Sequence, residues 1–254
     1  MLRAIILAAG RGKRLAGSNP DPRPKCLIEI GGRTLLARQL ELLESCGVDR
    51  ADIVVGFEAG QIRAAVEGMS RRPDVEFYHN ARFEHGSVIS LWTAHDALES
   101  GDPVLILDAD VLCHPDIMRK LVTTPLQNCL LLDRDFEAGD EPVKIALSGG
   151  TIVEFRKRLP DSLDCDVLGE SVGFFRFDAE CAGRLAERCA RFDAEGLEEA
   201  PHEDAIRAEL LDRPERYGIE DVTGLPWIEI DFAEDIERAS NRILPAIRQA
   251  YPGY

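Results

Sequence analysis

The chain has 254 residues and a formal net charge of -16, with 45% hydrophobic and 30% charged residues. These values are typical of one large globular domain, and the acidity argues against nucleic acid or anionic membranes as partners. We expect no membrane span, because no apolar run approaches roughly 20 residues, and no signal-peptide pattern opens the chain. Seven cysteines without a CxxC pair predict reduced thiols in a cytoplasmic protein rather than a zinc site.

The first predicted element is a buried parallel strand over residues 4–8, an apolar run too short for a helix. A glycine-containing loop with several cations follows it: Gly10, Arg11, Gly12, Lys13, Arg14 and, further on, Lys25. Glycines at the carboxyl end of a strand let the backbone approach a ligand, and the N–H groups there can hold phosphate oxygens. In such an acidic chain, this local excess of positive charge predicts a polyanion site.

The next elements alternate between strand and helix. In chain order the pattern predicts a helix between Thr34 and Gly47, a strand over 51–57 and a helix over 62–69. It then predicts a strand over 75–78, a helix over 87–100 and a strand over 104–107. This alternation predicts an α/β fold with a doubly wound sheet that binds ligands at the carboxyl ends of its strands.

From about residue 129 the pattern changes to several strands followed by helices. We predict strands over 129–132, 143–147, 151–156 and 171–177, a helix to about 192, a second helix to about 212, a strand over 226–230 and a last helix over 232–247. Because no linker separates the two parts, we expect a single domain over residues 1–254.

Two pairs of carboxylates are candidates for a metal site. Asp108 and Asp110 directly follow the strand 104–107, where side chains point into the ligand crevice. Glu229 and Asp231 lie on one face of a late strand. Oxygen ligands of this kind suit Mg²⁺. The alternatives to a metal site are an ordinary acidic loop after a strand for Asp108 and Asp110, and a solvated edge position for Glu229.

The glycine loop matches neither of two common phosphate motifs. The dinucleotide fingerprint needs glycine at position 15, where the chain has Leu15, and the P-loop needs glycine at Leu7 and Ser or Thr at Arg14. The sequence LAAGRGKRL over 7–15, followed by Pro24 and Lys25, instead resembles the signature of the nucleotidyltransferases that make nucleotide-diphospho-sugars and CDP-alcohols. For the residues alone, the alternative is a surface glycine turn with basic neighbours.

This resemblance implies a mostly parallel but mixed Rossmann-like sheet, with a nucleotide-binding half over 1–128 and an acceptor-binding half over 129–254. It also implies that Lys25 and Arg14 stabilise charge at the α-phosphate, and that Asp110 and Asp231 hold Mg²⁺. Asp108 and Glu229 would support these ligands or hold a second ion.

The segment NARFEHGSVISLWTAHDA over 80–97 resembles the phosphocholine and 2-aminoethylphosphonate cytidylyltransferases. CTP and a small phosphorylated or phosphonate acceptor are therefore the implied substrates. The implied nucleotide-binding residues are Asn80, Ser87, Ser90, and the loop residues Leu7, Ala8, Ala9, Gly10, Arg11, Gly12 and Lys13. There are two alternatives: Ser90 bonds the backbone of its own helix, and Arg11 and Lys13 are solvated cations.

A cationic acceptor head is implied as well, because the second half contains acids and an aromatic residue that could attract it. These are Asp133, Glu170, Glu203, Asp204 and Trp227. Solvated surface acids are the alternative. A sugar-1-phosphate or polyol-phosphate nucleotidyltransferase using UTP, dTTP or CTP, and a non-catalytic nucleotide-binding regulator, stay open. A homodimer is compatible with the sequence, which does not fix the oligomeric state.

Overall fold

The computed structural model describes residues 1–16, 23–137 and 139–254, apart from the side chains of Lys13 and Ala16. The strands are β1 (Arg3–Ala8), β2 (Glu29–Ile30), β3 (Arg33–Thr34), β4 (Arg50–Val55), β5 (Asp74–His79), β6 (Val104–Asp108), β7 (Val111–Cys113), β8 (Cys129–Asp133), β9 (Lys144–Ser148), β10 (Thr151–Arg156), β11 (Val167–Phe177), β12 (Gly218–Asp221) and β13 (Trp227–Glu229). The α-helices are α1 (Lys13–Ala16), α2 (Leu35–Ser45), α3 (Ala59–Glu67), α4 (Ser87–Thr93), α5 (His95–Leu98), α6 (Pro115–Thr123), α7 (Ala179–Ala194), α8 (His202–Asp212), α9 (Ala233–Arg238) and α10 (Leu244–Ala250). Within those described ranges, no helix is both long and apolar enough to cross a bilayer.

One mixed sheet organises the fold. Its strands β6, β1, β4 and β5 lie side by side and parallel. The long strand β11 runs antiparallel to β6 on one side, and it also pairs with β9 and β8. Strand β10 extends the sheet beyond β9, and β12 lies parallel to β8. The predicted doubly wound, mixed Rossmann-like sheet is therefore confirmed.

Helices cover both faces of this sheet because its central strands are apolar on both sides. In β6, Leu105 and Leu107 point into one core with α2, α3 and α6, while Val104 and Ile106 point into the opposite core with α4, α7 and α8. The side chain of Thr34 caps α2 as predicted, since its Oγ1 accepts a hydrogen bond from the Ala37 N–H at 3.1 Å.

The predicted late strand is present as β13, whereas the last helix differs from the prediction. Strand β13 lies outside the main sheet and pairs with β7 in a separate two-stranded sheet, in which Trp227 lies opposite Cys113. The predicted helix over 232–247 consists of α9, a π-helical turn over Ala239–Ile243, and α10. Pro245 explains the interruption, because proline lacks the N–H that would bond the preceding turn.

The predicted helix over 87–100 is also interrupted, at Ala94 between α4 and α5. Thr93 Oγ1 bonds the Ile89 carbonyl at 2.8 Å, a side-chain contact that tends to bend helices. Six elements were not predicted: α1, β2, β3, β7, α6 and β12. All but α6 span four residues or fewer, too few for a periodic pattern.

Gly86 joins the start of α4 to the segment before α8. Its N–H donates to the Glu198 carbonyl at 2.8 Å, and a Cβ atom at this position would lie 2.2 Å from the Ala200 carbonyl oxygen. Only glycine therefore allows these two backbones to approach so closely.

We expect Gly86→Ala to lower the free energy of unfolding by about 1–3 kcal/mol, because the added methyl group forces two backbone segments apart. Gly60→Ala in α3 is the matched control, since a Cβ there would meet no described atom within 4 Å. We expect that control to be neutral or stabilising by about 0.4–1 kcal/mol. Urea unfolding measures both, and an unchanged midpoint for Gly86→Ala would contradict the close approach.

Candidate active site

Lys25 lies near the carboxyl end of β6, at the edge of the sheet where the ligand crevice was predicted. Its Nζ lies 2.8 Å from Asp110 Oδ2 and 2.7 Å from Asp231 Oδ1. Burial alone lowers the pKa of Lys25, but the two carboxylates outweigh that effect and raise its pKa above the ordinary value. The ammonium group is therefore charged and fixed between two acids that lie 85 and 206 residues away in sequence.

The glycine loop makes room for this lysine. Gly12 has a φ of +63°, and a Cβ at this position would lie 2.8 Å from Lys25 Cγ. Glycine is thus required both by the backbone conformation and by the passing side chain. Lys25 itself starts a short 3₁₀ turn after Pro24.

Asp110, Glu229 and Asp231 form a group of three carboxylates, in which one oxygen of each lies within 4.8 Å of the others. The pairing of β7 with β13 brings these segments together, and the Ile230 N–H donates to the Asp110 carbonyl at 3.0 Å. Glu229 is partly in contact with solvent. Desolvation of its carboxyl group, together with the charges of Asp110 and Asp231, nevertheless raises its pKa well above the ordinary value. Three oxygen donors close together fit a hard divalent ion such as Mg²⁺.

Arg14 lies beside this group. Its guanidinium lies 3.1 Å from Asp231 Oδ1 and 2.9 Å from Glu141 Oε2, and it packs over the ring of Phe232. Glu141 also contacts Lys157 at 3.2 Å. The sequence did not single out Glu141, because an isolated acid in an irregular loop has no pattern that predicts its partner.

The other residues of the loop differ in their surroundings. Arg11 is half exposed, lies 3.8 Å from Glu84 and packs over the ring of Phe57. A Cβ on Gly10 would meet no heavy atom of the described chain within 4 Å, so the backbone there faces open space. Leu7, Ala8 and Ala9 end β1 or directly follow it, with Ala8 and Ala9 buried. The side chain of Lys13 lies outside the described part.

The three polar residues predicted to bind the nucleotide do not form one group. Asn80 and Ser90 are buried and bond each other, since Asn80 Nδ2 donates to Ser90 Oγ at 3.1 Å. Ser87 instead faces α8, where its Oγ accepts from the His202 N–H at 2.8 Å. Their role in nucleotide binding stays a prediction.

Asp108, His202 and Glu203 form a second group, with one candidate ligand atom from each within 4.8 Å of the others. Burial, together with the charges of Glu203 and Asp110, raises the pKa of Asp108 well above its ordinary value. Burial and the charge of Glu203 also raise the pKa of Asp204. His202 was not predicted to be functional, although its position directly before Glu203 and Asp204 at the start of a helix is visible in the sequence.

The predicted acceptor residues therefore divide into two places, because Asp133, Glu170 and Trp227 lie together elsewhere. Trp227 Nε1 donates to Asp133 Oδ2 at 2.7 Å, and Glu170 lies opposite Asp133 in the pairing of β11 with β8. Burial and the charge of Asp133 raise the pKa of Glu170 to about 7. A carboxyl group that titrates near neutrality beside a second acid favours a cationic partner.

Comparison with known proteins gives one family model, several relatives and several similar structures. The model of a family described as the MobA-like NTP transferase domain matches residues 4–152. CTP:phosphoglutamine cytidylyltransferase of Campylobacter jejuni is 22% identical over 93% of this chain and 98% of its own. CMP-5'-(3-aminopropyl)phosphonate synthase of Streptomyces rubellomurinus is 24% identical, and the match covers 98% of this chain but only 40% of that protein. The structure of the inositol-1-phosphate CTP transferase from T. maritima superposes with a TM-score of 0.74 at 19% identity, covering 97% of this chain and 96% of the other.

We expect Glu170→Gln to change how stability depends on pH. The pKa of Glu170 in the folded protein, about 7, lies above the ordinary value of about 4.3. The stability that its proton contributes is therefore complete below about pH 4 and is lost as the pH rises to 7. The glutamine variant lacks this loss, so it should gain stability relative to wild type between pH 5 and pH 8.

Urea unfolding at these two pH values measures the effect. Glu154→Gln is the control, because hydrogen bonds from Arg207 and the Phe155 N–H outweigh burial and lower the pKa of Glu154. Its effect on stability should be equal at pH 5 and pH 8. The same difference at both pH values for Glu170→Gln would contradict the raised pKa.

Proposed function

Because the chain belongs to the MobA-like NTP transferase family, we propose that it is a cytidylyltransferase that transfers CMP from CTP to a small phosphorylated or phosphonate acceptor. The observation that carries this proposal is the ion pair of Lys25 with Asp110 and Asp231 beside the glycine loop. In this proposal residues 1–128 bind the nucleotide and residues 129–254 bind the acceptor.

The proposed reaction joins an acceptor oxygen to the α-phosphorus of the nucleotide. The bond from that phosphorus to the bridging oxygen of the β-phosphate breaks, and pyrophosphate leaves with the electron pair. The attacking phosphate or phosphonate oxygen is already anionic near neutral pH, so no general base is required. The main tasks are positioning and stabilisation of negative charge.

The cations of the crevice are suited to these tasks. Lys25 would stabilise charge on the α-phosphate, and Arg14 would stabilise the leaving pyrophosphate. The backbone from Ala9 to Gly12, which includes the open space at Gly10, would bind the triphosphate oxygens with its N–H groups. Arg11 and Lys13 would also help to hold the triphosphate.

Asp110, Glu229 and Asp231 would hold Mg²⁺, since they supply three oxygen donors within 4.8 Å of one another. When bound, the ion would neutralise charge on the phosphate oxygens.

CTP is proposed as the nucleotide because the relative from Campylobacter jejuni is named a CTP-using cytidylyltransferase and the relative from Streptomyces rubellomurinus is named a synthase of a CMP-phosphonate. The pair of Asn80 and Ser90 would support base selection from within the protein, because each fixes the orientation of the other. Ser87, at the start of α4, would also contribute to base selection.

An acceptor with a cationic head, such as phosphocholine or 2-aminoethylphosphonate, is proposed from the group of Asp133, Glu170 and Trp227. Two acids and an indole within one group attract an ammonium ion, and burial with the charge of Asp133 raises the pKa of Glu170 despite the positive charges of Lys144 and Arg238. A sugar-1-phosphate or polyol phosphate is the alternative acceptor.

The reaction is tested by a pyrophosphate-release assay that combines each of the four NTPs with phosphocholine, 2-aminoethylphosphonate, phosphoethanolamine and sugar phosphates. We expect release with CTP and an acceptor that carries an amine or a trimethylammonium group. No release with any pair would contradict nucleotidyl transfer.

We expect Lys25→Ala and Asp110→Ala to lower kcat by roughly a hundredfold or more, because each removes charge that is matched to the transition state. Arg14→Ala should have a smaller effect, since neighbouring cations share its task. Lys120→Ala is the control, because this lysine lies on α6 and bonds the Asp221 carbonyl at 3.3 Å. A variant of Lys25 or Asp110 that is folded by circular dichroism and keeps near wild-type kcat would contradict the assignment.

For the metal, we expect EDTA to abolish activity and added Mg²⁺ to restore it.

For the acceptor, we expect 2-aminoethylphosphonate to have a higher kcat/KM than its neutral isostere propylphosphonate. Attraction by an aromatic face is worth about 0.5–2 kcal/mol, so the preference should be several-fold. Asp133→Asn and Glu170→Gln should reduce that preference, whereas Glu154→Gln should keep it. A better rate with the neutral compound or with a sugar-1-phosphate would exclude the cationic head and leave nucleotidyl transfer intact.

A further inference from the structure

Asp108, His202 and Glu203 lie beside the first carboxylate group but use different elements. Asp108 ends β6, while His202 and Glu203 form the first turn of α8. The proposed reaction gives His202 no role. One ligand atom of each residue nevertheless lies within 4.8 Å of the others.

The imidazole of His202 is almost completely buried, with 2% of the residue exposed. Its Nδ1 lies 3.0 Å from Ser87 Oγ, which also accepts from the backbone N–H of His202. These contacts fix the ring, and its Nε2 has no hydrogen-bond partner among the residues that the structure describes. Asp108 Oδ1 lies 3.7 Å from Nε2.

A second polar atom of this group is also without a hydrogen bond. Glu203 Oε2 is buried and has no such partner in the described ranges, although His202 Nδ1 lies 3.1 Å away. Buried polar atoms in folded proteins nearly always have a partner, so two unpartnered atoms within one such group of potential ligands indicate a missing ligand.

We propose that Asp108, His202 and Glu203 bind a divalent transition-metal ion, such as Zn²⁺ or Mn²⁺, separate from the ion expected at Asp110 and Asp231. An imidazole nitrogen together with carboxylates is a donor set for transition metals, whereas Mg²⁺ prefers oxygen ligands alone. In the metal-binding tautomer Nδ1–H donates to Ser87 Oγ and the Nε2 lone pair faces Asp108. Histidine ligands generally donate their second N–H in this way.

The fold holds Asp108 in place for this role. Gly173 in β11 has a φ of +78°, and a Cβ there would lie 2.4 Å from Asp108 Oδ2. The register of β11 against β8 shifts at this position, which makes a recess for the carboxylate. Asp108 and Glu203 each remain about one-fifth exposed, with side-chain values of 22% and 20%, so an ion can reach them.

The test uses the full chain without nucleotide and Zn²⁺ as the probe. Isothermal titration calorimetry counts the ions, and the double variant Glu229→Gln with Asp231→Asn removes the first site. We expect this double variant to keep one Zn²⁺ ion. In that background, His202→Gln and Glu203→Gln should each weaken its affinity by about tenfold or more, since each removes a direct ligand.

The nitrogen resonances of the five histidine rings provide a readout that does not depend on activity. Zn²⁺ should shift Nε2 of one ring, and that shift should be absent in His202→Gln. His85→Gln is the matched control, because His85 also lies beside a carboxylate, at 2.6 Å from Glu199, but is exposed.

Three results would overturn the proposal: no Zn²⁺ ion bound to the double variant, an ion bound without any shift of the His202 ring, or undiminished affinity in Glu203→Gln. A shift of His202 by 2-aminoethylphosphonate but not by Zn²⁺ would also overturn it and identify an ammonium site. If His202→Gln does not fold, Glu203→Gln decides, because this partly exposed side chain can be changed without opening the core. Neither readout requires turnover, so failure here leaves the proposed reaction untouched.

Discussion

The crevice depends on two partly buried ion pairs, in which Lys25 joins Asp110 and Asp231. These residues come from three distant parts of the chain. Because each charge is largely removed from water, it would destabilise the fold if the other charges were absent. The oxygens that Lys25 contacts, Asp110 Oδ2 and Asp231 Oδ1, belong to the carboxylates expected to hold a divalent ion. Asp110 and Asp231 would hold that ion, and Lys25 would then be free to turn toward a phosphate.

Acids form three groups in the structure. The first is Asp110 with Glu229 and Asp231, the second is Asp108 with His202 and Glu203, and the third is Asp133 with Glu170. Burial, together with the charge of a neighbouring acid, raises the pKa of one carboxylate in each group, namely Glu229, Asp108 and Glu170. Positive charge lowers such pKa values, so a bound cation would favour the ionised form in each group.

Much of the fold could be predicted because its signals are local. The fully apolar run 104–107 identifies a central strand, and Thr34 identifies a helix start. The meeting of Lys25, Asp110 and Asp231 was expected only through a family resemblance, since no local pattern encodes a contact across 206 residues. His202 and Glu141 were missed for the same reason: a single histidine or glutamate becomes informative only when the fold supplies its neighbours. The separate pairing of β13 with β7 depends likewise on long-range register, to which the sequence of a three-residue strand contributes little.

Strand β11 belongs to both halves of the molecule. Its residues from Val167 to Glu170 pair with β9, next to the proposed acceptor group, and those from Phe174 to Phe177 pair with β6, which carries Asp108. One continuous backbone ladder thus runs through both regions, and a hinge between them would have to break it. For the design of chimaeras, this means that the second half is not an exchangeable cassette that begins at residue 129. A graft that brings a new acceptor specificity must carry β11 with it and preserve Gly173, or the recess that receives Asp108 will be lost.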